Sequence, residues 1–173
     1  MTEEDFTRLV SQHHAEIYRY LVRVTGRISD ADDLSQETFF RAFRACVSGG
    51  PNGEPRAWLF AIATNLTKNH FREQKRRRRA QDELVRGAVT TPALADGEGS
   101  GRDLGEAVER IVAELPLKQR LAFVQRKVHG FEYETIAENL GCSPESARAN
   151  VFQATKKIKS ALDGRSSDRK EAP

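Results

Sequence analysis

Cations crowd one stretch of this chain. Between Gly50 and Ala80, Arg56, Lys68, Arg72, Lys75 and the run from Arg76 to Arg79 face only Glu54 and Glu73, an imbalance suited to neutralising the phosphates of a nucleic acid. His70 and Phe71 share the segment, and unpaired bases are held by aromatic stacking combined with backbone charge. Trp58 keeps register with Ile62 and Leu66 and reads as core rather than as a stacking platform. Lys68 and Arg72, one helical turn apart on a surface that packing does not require, are then the DNA-directed side chains. A Lys-Arg run at the end of a helix is also what a solvated face favoured by the helix dipole looks like.

A second constellation lies toward the other end. Ile136, Ala137 and Leu140 precede Gly141, and Ser143-Pro144-Glu145 opens a stretch that carries Ala147 and Val151. That order predicts a helix-turn-helix: Ala137 lets two helices approach, Gly141 permits a sharp exit, and Ser143 caps a helix with Pro144 at its first position. The second helix of such a motif enters the major groove with its early residues near base edges. Arg148, Asn150 and Gln153 are the candidates for base contact, because arginine matches guanine while asparagine or glutamine matches adenine. Lys156, Lys157 and Lys159 suit phosphates. A plain helical hairpin with a solvated charge run carries the same short pattern.

Asp30, Asp32, Asp33 and Glu37 form an acidic cluster, but no Glu-x-x-His, second carboxylate helix or calcium-loop spacing accompanies them. His13, His14, His70 and His129 are scattered, so no metal is expected. Helix capping accounts for Asp30 to Asp33, whereas Gln36, Glu37 and Arg41 suit a protein partner that carries cations. The chain shows no phosphate loop, nucleophile elbow or acid–base set, which predicts a protein that is not an enzyme and needs no cofactor.

The elements that must position these groups are helices. Phe6, Val10, His13, Ile17, Leu21 and Val24 recur at steps of three and four up to Gly26. Ser29 is placed to cap a second helix, whose apolar side includes Ala31, Leu34, Thr38, Phe39, Phe43 and Cys46. Gly49 to Gly53 forces a loop, and Pro55 suits the first turn of a third helix. From Gln81 to Arg102 the apolar period is lost among glycines and polar residues, the mark of a linker. Periodicity returns at Leu104 to Leu115, stops at Pro116 and resumes to Val128 before Gly130. The expectation is an all-α chain of two small helical domains: residues 1–80, a flexible linker 81–102, a four-helix domain 103–162 containing the helix-turn-helix, and a disordered tail 163–173.

Composition agrees with this plan without selecting it. The 173 residues hold 28 Lys+Arg against 25 Asp+Glu, a formal net charge of +3, so the basic stripe is local. Cys46 and Cys142 stand far apart outside any C-x-x-C pattern and read as small buried hydrophobes of a reducing compartment. An acidic amino-terminal stretch and the lack of any long apolar run predict no secretory signal and no membrane insertion, hence a cytoplasmic protein.

Two segments carry a resemblance. Asp30-Ala-Asp-Asp-Leu-Ser-Gln-Glu-Thr-Phe-Phe-Arg-Ala-Phe43, with Arg56-Ala-Trp-Leu-Phe-Ala-Ile-Ala-Thr-Asn65, resembles region 2 of bacterial RNA polymerase sigma factors of the extracytoplasmic-function group. Leu115-Pro-Leu-Lys-Gln-Arg120, with Gly130-Phe-Glu-Tyr-Glu-Thr-Ile-Ala-Glu-Asn-Leu-Gly141, resembles region 4. The resemblance implies promoter-specific transcription initiation with core RNA polymerase. It implies that Asp33, Gln36 and Glu37 contact the clamp helices of the largest subunit, and that the second domain meets the flap. Asn65, Lys68, Asn69, Arg72 and Arg76 would open promoter DNA and hold the downstream element. The last helix would read the upstream element, the linker would thread near the polymerase active site, and an anti-sigma factor would hold the protein inactive.

This sequence departs from the family pattern at Asn69, where Asp is common, and at Ser146-Ala-Arg-Ala-Asn150, where Thr-Val-Lys-Ser-Arg is common. Asn150 removes a cation expected near the upstream DNA. Two other readings compete: a conventional helix-turn-helix regulator that binds duplex operators as a dimer, for which no dimerising heptad is visible, and an adaptor that holds an antagonist without binding promoters.

Overall fold

The computed structural model describes residues 2–51, 53–84 and 104–168. These form seven helices, α1 (Glu3–Thr25), α2 (Ile28–Val47), α3 (Pro55–Leu84), α4 (Leu104–Glu114), α5 (Leu117–Lys127), α6 (Tyr133–Leu140) and α7 (Pro144–Asp168), with no strand among the described residues. The all-α expectation therefore holds. No helix among the described residues is long and apolar enough to cross a membrane.

The helix ends follow local chemistry. Thr2 and Asp5 close a reciprocal capping box at the start of α1, which satisfies two amide hydrogens that the helix leaves free. Gly26, at φ 70°, ends α1 in the left-handed conformation that a side chain disfavours. Ser29 does not cap α2: the cap residue is Arg27, whose side chain makes no capping bond. Instead Thr25 Oγ1 accepts from the Arg27 amide at 3.3 Å and donates to the Leu21 carbonyl at 2.8 Å, so the one-turn reversal is fixed from the α1 side. Ser143 does cap α7, its Oγ accepting from the Ser146 amide at 3.2 Å.

Two elements outrun their expected limits. α3 continues to Leu84, because Glu73 bridges Arg76 and Arg77 at 2.8 and 3.1 Å and the segment is rich in strong helix formers. α7 continues to Asp168, into the stretch expected to be a tail. The rest of the expected linker and tail, 85–103 and 169–173, lies outside the described residues.

Helices α1 to α3 and α4 to α7 form two sets that share one continuous core. Ile17, Tyr20, Leu21, Leu59 and Phe60 in the first set are buried with Leu121, Val124, Ile136, Ala147 and Val151 in the second. Phe60 lies 4.8 Å from both Phe131 and His129, ring centre to ring centre. At the centre of this seam the fully buried Gln125 donates to Tyr20 Oη and Thr64 Oγ1, each at 3.1 Å, and accepts from Asn139 Nδ2 at 2.8 Å. The network costs little only while every member is paired.

Gln125→Ala orphans Asn139 and removes the bridge between sets, whereas Tyr20→Phe deletes one hydroxyl and leaves Gln125 with Thr64. Urea unfolding is expected to show a loss of about 3 kcal/mol for the first and about 1 kcal/mol for the second. Equal losses would contradict a network centred on Gln125.

Candidate nucleic-acid interface

The basic helix presents its groups unequally. Asn65, Asn69, Arg72 and Arg76 are exposed along one row of α3, as steps of three and four require. Lys68 is not on a free surface. Its Nζ donates to the carbonyl of Leu140, at the end of α6, at 3.0 Å and to Asn65 Oδ1 at 3.3 Å. Burial first, and the charges of Lys118 and Arg72 next, push its pKa down. The expectation that packing does not require this residue is thus corrected, because spacing along α3 carries no information about α6. Trp58 is half-buried against the core, as its register implied.

In the helix-turn-helix, Gly141 takes φ 68° between α6 and α7, and Ala147, Val151, Ala154 and Ile158 form the buried row of α7. Arg148 is exposed, its guanidinium 4.9 Å from the centre of the Tyr133 ring, with Arg126 at 4.8 Å from the same ring. Asn150 and Gln153 are engaged within the fold: Asn150 Nδ2 donates to the Ser146 carbonyl at 2.8 Å, and Gln153 Oε1 accepts from Gln119 Nε2 at 2.7 Å. Lys156, Lys157 and Lys159 are exposed. Sequence reading missed Phe152, which is 68% exposed; its position off the Ala147–Val151–Ala154–Ile158 row was the available signal.

On α2, Asp33 and Gln36 are exposed, and Glu37 accepts from Arg41 Nε at 2.6 Å. Asp30 faces inward instead, 3.2 Å from His70 Nε2, and ties the start of α2 to α3. The outward row continues through Phe40, 55% exposed, to Arg44, whose guanidinium is 5.9 Å from the Phe40 ring centre, and to exposed Val47. Phe43 is a second correction. It was expected on the buried side, yet it is exposed and meets the Phe6 ring edge at 5.2 Å. Such an apolar row beside carboxylates has the composition of a protein-binding face.

A cleft of about 660 Å³ opens between the two sets, walled by Val22, Val108, Phe123 and Val128 and rimmed by Arg19, Arg110 and the Arg23–Glu109 pair, 3.7 Å apart. Among the described residues no group of His, Cys, Asp or Glu side chains could hold a metal ion. Cys46 is buried, with its thiol pushed up by that burial, and Cys142 is half-buried. Neither is disulfide-bonded.

Residues 9–77 match the family model described as Sigma-70 region 2, and residues 105–158 match that described as Sigma-70, region 4. The ECF RNA polymerase sigma-E factor of Haemophilus influenzae is 30% identical over 165 residues, which cover 91% of this chain and 87% of that one. Among solved structures, the sigma factor RpoE in complex with the anti-sigma factor NepR from Bartonella quintana shares the fold with TM-score 0.70 at 23% identity, over 92% of this chain and 98% of its own. CnrH in complex with the cytosolic domain of CnrY does so with TM-score 0.66 at 24% identity, over 94% and 90%.

Arg148 is exposed on α7, and a guanidinium there has the donor pattern that a guanine edge accepts. Arg148→Ala is expected to remove roughly 1–3 kcal/mol of discrimination between DNA sequences, measured by competitive binding of matched and mutated sites. Equal loss on every sequence would make it a phosphate contact.

Proposed function

Because the chain belongs to the extracytoplasmic-function group of bacterial RNA polymerase sigma factors, non-enzymatic proteins that direct promoter-specific transcription initiation, we propose that its three exposed faces divide that work. The first helical block, 1–80, binds core polymerase and melts DNA; the block 103–162 recognises duplex DNA.

On α2, Asp33, Gln36 and Glu37 contact the clamp helices, joined by Phe40, whose exposure the apolar part of such a contact would remove. On α3, Asn65, Asn69, Arg72 and Arg76 engage the opened downstream element. The observation that carries this assignment is their single solvent-facing row. Strand separation is then driven by higher affinity for the unpaired strand, with unstacking offset by base contacts and phosphate neutralisation.

On α7, Arg148 reads the upstream element and Lys156 and Lys157 meet its phosphates. Asn150 and Gln153 join it once DNA competes for their amides, and Phe152 offers an apolar contact of the kind that thymine methyl groups accept. The second block also meets the polymerase flap, and the protein works in the cytoplasm beside its polymerase. RpoE and CnrH were both solved with partner proteins, one of them an anti-sigma factor, and a regulator of that kind fits this chain. The cleft between the sets, apolar with a rim that carries both arginines and Glu109, suits an amphipathic helix.

Asp33→Arg is expected to weaken core binding in a competition assay while circular dichroism stays unchanged, because it reverses charge on a solvent-facing turn. Unaltered affinity would remove Asp33 from the contact. Arg72→Ala with Arg76→Ala should preserve core binding and impair open-complex formation on a closed duplex, read by permanganate reactivity of unpaired thymines. A template already mismatched across the downstream element should recover much of the lost transcription. Normal reactivity on the closed duplex would sink the assignment of this face to melting.

A further inference from the structure

One amide of the helix-turn-helix is already half occupied by its own fold. Gln153, exposed on α7, has its Oε1 turned toward α5, where it accepts from Gln119 Nε2 at 2.7 Å. Gln119 is only 9% exposed, and its own Oε1 is buried without a partner. Exchanging oxygen and nitrogen in both amides would keep the hydrogen bond but bury an NH2 group with no acceptor in place of a bare carbonyl oxygen. Buried N–H groups without partners are the rarer of the two. The chemistry of the buried end therefore fixes which end of Gln153 is left over.

That end is the Nε2 donor. A glutamine reads adenine by accepting from the N6 amino group while donating to N7 along one base edge. Gln153 makes this two-point contact only by giving up Gln119, whose buried amide would then have neither end paired, a loss of about tenfold in affinity. Guanine requires no such release. Its major-groove edge presents two acceptors, O6 and N7, and a lone donor serves them while the bond to Gln119 stays closed.

We propose that Gln119 is a specificity-determining positioning residue: by holding the oxygen of Gln153, it turns a side chain suited to adenine into a donor that selects guanine in the upstream element. The inference rests on the reading of α7 as the helix that meets this element, and it deepens that reading by naming the base. Gln119 acts without touching DNA. Asn150 supplies an internal reference, because its Nδ2 is held by a backbone carbonyl, that of Ser146, which a change at Gln119 does not remove.

The test is the base preference of the full chain bound to core polymerase. A duplex library is randomised over about ten base pairs, one helical turn, upstream of a start region that is already mismatched, and the bound DNA is sequenced. The unaltered chain is compared with Gln119→Met, which keeps a similar length without a donor, with the smaller Gln119→Ala, and with Gln153→Ala and Arg148→Ala. Gln153→Ala marks the position that this side chain reads by flattening the preference there. At that position the unaltered chain is expected to favour guanine over adenine by about tenfold. Both Gln119 variants should bring adenine level with guanine or above it, with the other positions and core binding unchanged.

Adenine already favoured by the unaltered chain, or a guanine preference that survives both Gln119 variants, would overturn the proposal. So would a uniform loss on every sequence, which would make Gln119 a packing residue. If Gln153→Ala alters no position, the proposal falls as well, and Arg148→Ala separates the two failures: a preference that moves with Arg148 keeps α7 as the reader, whereas one that moves with neither removes it.

Discussion

A buried amide cannot be left without partners, and the seam between the helical sets is organised by that rule. Gln125 is enclosed where α1, α3 and α6 meet α5, and the groups that satisfy it come from all three: Tyr20, Thr64 and Asn139. Apolar packing alone would tolerate many rotations of one set against the other. A three-partner amide tolerates very few, because a small shift leaves a donor or an acceptor orphaned in low dielectric. The register of the whole molecule follows from satisfying this side chain, and the bonds from Arg56 to the His129 carbonyl, from Lys68 to that of Leu140 and from Arg120 to that of Val24 are possible only in that register.

Much of the architecture was legible in the chain. Steps of three and four placed the buried rows, Gly26 and Gly141 marked the left-handed exits, and Ser143-Pro144 announced the last helix. These signals are local, and local chemistry executes them. What escaped was settled between distant segments. Lys68 looked free because its partner is a backbone carbonyl more than seventy residues away, and a carbonyl has no sequence signature. Phe43 looked buried because Ala42 and Cys46 on α2 are, yet it stands at the margin of the first set with only the edge of Phe6 against it among the aromatic rings described. Asn150 and Gln153 were read by what they can bind, while their amides are met by Ser146 and Gln119.

The interfaces differ in how firmly their side chains are held before any partner arrives. Arg148 shares the Tyr133 ring with Arg126, so part of its rotamer entropy is already lost and less is lost on contact with a base. Lys156, Lys157 and Lys159 carry no such restraint, which suits groups that follow a phosphate backbone of any sequence. The exposed row of α2 combines the two habits. Arg44 rests over Phe40, whereas Asp33 and Gln36 stand in solvent.

Helix α3 spans 30 residues, a rod of about 45 Å at 1.5 Å per residue. Its first half is clamped in the core by Leu59, Phe60, Ala63 and Leu66, and its side chains from Lys75 to Asp82 are exposed. Mechanically it is a cantilever whose support reaches past Lys68 to Gln74, because His70 and Gln74 hold Asp30 of α2 at 3.2 and 3.4 Å. The outer arm, Lys75 to Leu84, is therefore about 15 Å long, and a sideways load on it falls first on the Asp30 tie.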